Sequence, residues 1–220
     1  MSLSSQIRKH IHPVLVRKGF EKFDAFWHLE KGDDWLVQVE AASSKFGNDG
    51  LYHLTVDIGF FSRQLDELMG WLSQAGFNEQ RRKSEPVGVA RCHFEASLFD
   101  FNHEAEWVGS SDNLFLPKGK ASETDFLEIA SKLECVLPAS FERYGSFESL
   151  INCKRNKIGK YSQSKQASMY ASGACIELGR FDEAREFLDD AVRPGSIQFM
   201  KDVGARLSDA LERKTSGNTK

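Results

Sequence analysis

The chain lacks most of the features that announce a class of protein. No apolar run in its 220 residues approaches the ~20 that a membrane-spanning helix needs. Met1 to Pro13 holds no apolar signal core, so a secretory leader is not expected. A net charge of -3 supplies no global field to attract nucleic acid. Cys92, Cys135, Cys153 and Cys175 are far apart and form no Cys-x-x-Cys pair. Reduced, mostly buried thiols in a cytoplasmic protein are the expectation. There is no GxGxxG, P-loop, HExxH or GxSxG, which removes the common nucleotide-binding, zinc-protease and serine-hydrolase readings. His10 and His12 stand two apart, a spacing that diverges on a helix, so neither a metal nor a cofactor is expected.

What is present is bulk and pattern. Seventeen phenylalanines and a 40% hydrophobic fraction can fill one sizeable core without a disulfide or metal. Trp35, Val37 and Val39 alternate with Leu36, Gln38 and Glu40. Tyr52, Leu54, Val56, Ile58 and Phe60 alternate with His53, Thr55, Asp57, Gly59 and Phe61. Strand side chains reverse direction at each residue, so both stretches read as half-buried antiparallel strands. Strands are predicted over 25–30, 35–42, 52–61 and 89–99, with a short further one at Trp107 and Val108. The stretch 43–50 reads as a loop. An N-terminal helix carries Ile7, Ile11, Val14 and Leu15 on one stripe and is kinked or restarted at Pro13.

From Ser122 the period changes to about three and a half. Ser122 and Asp125 have capping-box spacing, and Pro138 is expected to open a new helix. Strands first and helices afterwards imply an α+β fold. The expectation is an antiparallel sheet of four to five strands packed by helices, then a C-terminal helical bundle. The predicted division is a sheet domain over 1–121, a helical region over 122–213 and a disordered tail over 214–220.

The polar side of the sheet is the first place to look for chemistry. Glu40, His53, Asp57, Arg91, His93 and Glu95 share it with Gln38 and Thr55 if the apolar sets share the other side. Residues four apart on a strand lie roughly 13 Å apart, so a His53–Asp57 dyad is excluded and any working pair must be cross-strand. The alternative is an open, hydrated sheet face. Lys154, Arg155, Lys157, Lys160 and Lys165 form a dense basic run that reads as a solvated loop more readily than as a phosphate cradle. Leu178-Gly179-Arg180-Phe181 looks like the junction of a single tetratricopeptide hairpin, short of the ~3 repeats a solenoid needs.

The helix ending Lys18-Gly19-Phe20, the aromatic strand at Phe26-Trp27 and the strand Trp35 to Val39 carry a family resemblance. Tyr52 to Gly59, Arg91-Cys92-His93 and Trp107 add to it. Over residues 5–150 the chain resembles a bacterial family catalogued as domain of unknown function 4304. That resemblance implies no activity and no catalytic residues. The functional expectation is a small cytoplasmic binding or interaction protein without catalysis, its partner another protein or a small molecule. A ligand site or enzyme on the polar sheet face is the alternative. An immunity-like or nucleic-acid-binding role is a third reading, with nucleic acid disfavoured by the charge and no membrane partner expected.

Overall fold

The structure, a computed structural model, describes residues 3–46, 51–70, 92–109, 114–117, 122–160, 162–192 and 198–217. The chain forms two compact units: Met1–Phe61 with Gly88–Arg143, and Ser62–Val87 with Tyr144–Lys220. The division therefore falls elsewhere than at residue 121, because a stretch following the long strand pair belongs with the C-terminal helices.

The first unit is built on one sheet of strands β1 (Glu21–Phe23), β2 (Phe26–Lys31), β3 (Trp35–Phe46), β4 (Leu51–Ser62), β5 (Phe94–Ser97) and β6 (Leu114–Pro117). The order is β1-β2-β3-β4-β5, with β6 also on β4. Six segments thus fill five positions, since β5 pairs with 57–60 of β4 and β6 pairs with 51–54. The β1–β2, β2–β3, β4–β5 and β4–β6 ladders are antiparallel. A connection of four residues between β3 and β4 allows only a hairpin there too, because parallel strands need a far longer crossover. The α+β architecture follows as the period-two pattern implied.

Apolar alternation sets the register. Trp27 faces Val39, Leu29 faces Val37, Ile58 faces Ala96 and Phe60 faces Phe94. Val37 is 2% exposed and Val56 is fully buried, as a greasy face turned toward helices requires. The covering helix is α4 (Glu123–Tyr144), whose Phe141 meets Phe60 edge-on with ring centroids 5.5 Å apart and also meets Trp35. Full burial of a side chain such as Phe60 contributes on the order of 2–3 kcal/mol.

Several sequence expectations give way. β3 continues through Phe46 rather than ending at 42, because ladder hydrogen bonds hold backbone whatever the side chains are. β1 and β6 are too short for a period to declare them. The described part of the strand expected over 89–99 is limited to Phe94–Ser97. It stops there because Ser97 and Asp100 cap a 3-10 turn over Leu98–Asp100, each side chain bonding the other's backbone N–H or its neighbour's. Trp107 makes a single bridge to Phe101 rather than a strand.

Ser122 and Asp125 do form the reciprocal cap, at 2.9 and 3.2 Å. Pro138 does not open a new helix but sits inside α4. Val136, Leu137 and Ser140 are buried around it, so tertiary packing holds the helix through the missing N–H.

The N-terminal segment is α1 (Leu3–Gln6), a π-helical stretch Ile7–Ile11 and α2 (His12–Arg17). The His12 N–H reaches back five residues to the Ile7 carbonyl. The widened turn lies immediately before Pro13, whose ring would clash with the carbonyl four residues back in a regular helix.

The second unit is helical: α3 (Arg63–Met69), α5 (Phe147–Asn156), α6 (Lys165–Glu177), α7 (Phe181–Ala191) and α8 (Gln198–Gly217). Ser62, Ser146 and Ser164 cap α3, α5 and α6 through their hydroxyls. α6 contacts all four of the others, and its residues 168–176 are buried. Its small residues allow this: a Cβ at Gly173 would stand 2.5 Å from the Leu65 Cδ1. Gly179, at φ +73, reverses the chain between α6 and α7. The predicted single hairpin is therefore present. Helix α8 runs to Gly217, so the tail expected from Lys214 is helical for its first four residues.

Candidate functional site

The polar residues predicted to share a sheet face divide into groups. Arg91 lies outside the described residues. His53 stands on β4 opposite Phe115 of β6, whereas the His93 N–H bonds the Phe60 carbonyl at 2.9 Å. Eight residues of strand, roughly 26 Å, separate His53 from Phe61, so the register excludes a His53–His93 pair. Asp57 faces Ser97, Glu95 faces Gly59, and Glu40 faces Phe26 on β2.

Around β5 the open, hydrated face is absent. His93 is 6% exposed and Glu95 9%; Ser97, Gln38, Leu36 and Phe61 are buried with them. The expectation of a half-buried sheet fails here, and β3 is covered on both sides from Leu36 to Val39. Asp57 and Glu40 remain half-buried.

Burial fixes the chemistry of this strip. The His93 ring lies flat on Phe61, centroids 4.8 Å apart, and burial holds its pKa down to about 3. It is a neutral imidazole throughout the physiological range and accepts protons poorly. The neighbouring Cys92 thiol is pushed well up, first by burial and then by the charges of Glu95 and Glu40. A thiol under two carboxylates stays protonated and is a weak nucleophile. Among the described residues, no group of three His, Cys, Asp or Glu side chains could hold a metal ion.

A second polar region lies at the opposite corner of the same unit and is open. A cleft of about 270 Å³ has one wall from the N-terminal helix, with Ile7, Arg8 and His12, and another from the sheet, with Lys22, Trp27 and Ala41. Lys22 and Trp27 are cross-strand partners, and the Lys22 ammonium sits 5.8 Å above the indole. Trp27 is buried and donates its indole N–H to the His12 Nδ1 at 2.9 Å. A neutral His12 that accepts at Nδ1 carries its proton on Nε2, as a second donor. Arg8 and Lys22 are exposed, and among the described residues neither has a carboxylate partner. On the same helix, Lys9 instead pairs with Glu123 at 2.7 Å and His10 stacks on Phe126.

Sequence reasoning missed this cleft. It weighed His12 only as a metal ligand beside His10. The available signal was the i,i+4 pair Arg8 and His12 just before Pro13, where a widened helical turn presents both to one side. In the dense basic run, by contrast, the first two cations are paired with acidic residues of α7. Lys154 bonds the Ser164 carbonyl and lies 3.6 Å from Asp190, while Arg155 pairs with Glu183.

No family model, curated protein or solved structure matches the chain. The likeness to family 4304 therefore rests on the residues quoted for it alone.

Proposed function

We propose that this is a binding protein whose sheet carries out no acid–base chemistry and whose first unit receives a ligand at the open cleft. One contrast carries the reading: the histidine on the polar strip is buried and neutral, while two cations with no carboxylate partner among the described residues line a cleft open to solvent. General acid–base work needs a group that titrates near the operating pH and reaches a substrate. His93 meets neither condition. A reducing, cytoplasmic setting belongs to the same proposal, supported by four cysteines that form no disulfide.

The test is to incubate the protein with a library of small metabolites, following binding by ligand-observed NMR and conversion by mass spectrometry. Binding without conversion is the expected result. Conversion that vanishes in His93→Gln while the variant stays folded overturns the proposal.

A further inference from the structure

We infer that the cleft between the π-helical turn and the β1–β2 corner is a site for a small organic oxyanion, a carboxylate or a phosphate ester bearing an apolar group. This rests on the binding reading above and names the ligand class that the cleft takes.

The argument begins with charge. Arg8 and Lys22 come from different elements, one helical and one on β1, yet both line the same opening. Among the described residues no carboxylate lines this opening. Two like charges brought together in a cleft repel one another, and an anion between them removes that repulsion while gaining charge-assisted hydrogen bonds. The guanidinium offers a planar fork suited to two oxygens, and the ammonium adds a point charge. His12 contributes a third donor. Its Nδ1 is occupied by the Trp27 indole N–H, which fixes the ring and leaves Nε2–H as the remaining polar atom.

The apolar part follows from the remaining walls. Ile7, Ala25, Ala41 and the indole of Trp27 present apolar surface, and the Ser4 hydroxyl beside them can donate to an oxyanion. A bare ion such as sulfate would leave that surface unused. The volume of about 270 Å³ falls just under the ~300 Å³ at which drug-sized sites begin, so the occupant is metabolite-sized. The floor of the cleft is the buried Trp27, whose indole N–H ties the strand to His12 on the helical wall.

Titration of the full chain with benzoate, phenyl phosphate, inorganic phosphate, benzyl alcohol and benzamidine, read by calorimetry and by NMR, tests the site. Benzoate or phenyl phosphate should bind at least about tenfold more tightly than benzyl alcohol and benzamidine, the value of one charge-assisted contact. Whichever of the two binds better identifies the carboxylate or the phosphate as the head group. Weaker binding of inorganic phosphate than of phenyl phosphate supports the apolar wall, and equal binding overturns it. Arg8→Gln should weaken the better probe roughly tenfold and Lys22→Gln severalfold, both being exposed side chains whose loss spares the fold.

Equal binding of benzamidine, unchanged affinity in both variants, or no binding by any probe at millimolar concentration each overturns the anion site. Tight binding of another ligand that survives Arg8→Gln would sink the anion site and leave the binding reading standing. Hydrolysis of phenyl phosphate that is lost in His93→Gln would sink the binding reading instead.

Discussion

His93 and His12 belong to the same unit and each rests against an aromatic ring, yet they end in opposite physical states. His93 lies on Phe61, only 6% exposed, and burial strips it of its proton-accepting power down to about pH 3. His12 is half-buried at the mouth of a cleft, bonded on one nitrogen by Trp27 and able to donate with the other. The polar strip carries Cys92, Glu95 and Glu40 around a silent histidine; the cleft carries Arg8 and Lys22 around one that can act as a donor. Residue types alone do not distinguish a site from a sealed core. Solvent access does, because the charged forms that chemistry and binding require are costly to bury.

The largest effect that would sharpen this contrast is acid destabilisation. Between pH ~6.5 and ~3 the unfolded chain takes up a proton on His93 that the folded chain refuses. Stability contributed by this group is therefore full above the unfolded pKa and drains as pH falls through that window, by on the order of 4 kcal/mol. Urea melts of the protein and of His93→Phe from pH 7 to 4 should show a markedly flatter profile in the variant. Parallel profiles would mean that His93 is solvated and the contrast false.

The next effect concerns thiols. Burial pushes Cys153 up to about 12 and, with Glu183 adding to it, Cys175 up to about 11. A rise of three units leaves on the order of a thousandfold less thiolate. Iodoacetamide at pH 8 should alkylate exposed Cys135 long before Cys92, Cys153 or Cys175, as peptide mass spectrometry would record. Early labelling of Cys92 would open the strip to solvent.

On the cleft side, Trp27→Phe removes the bond to His12 and part of a buried ring. A loss of about 1–2 kcal/mol in thermal or chemical unfolding is expected. The smallest effect separates binding from folding. Arg8→Gln should alter stability by less than about 0.5 kcal/mol, since the side chain is exposed and supports no described ion pair. A larger loss would make Arg8 a structural residue.

Legibility followed local physics. The alternation over 35–40 and 52–61 placed Val37, Val39, Leu54, Val56 and Phe60 in the core, because a two-residue period admits only one sorting of side chains. The Ser122–Asp125 cap and the Gly179 reversal were legible for the same reason: each is a contact within a few residues of chain. Pro138 misled because a local rule met a helix anchored from outside. The polar strip misled because alternation shows which residues share a face but not whether anything covers it. The cleft was illegible, since Arg8, Trp27 and Lys22 meet only once a helix is laid against a sheet corner.

Sequence by itself determined the α+β class, the greasy face of the strands and the Ser122–Asp125 cap, all set by side chains a few positions apart. Tertiary structure alone decided that His93 is sealed and that Arg8 and Lys22 share an opening. Burial and the meeting of distant cations depend on how whole elements pack, and no short-range pattern encodes that.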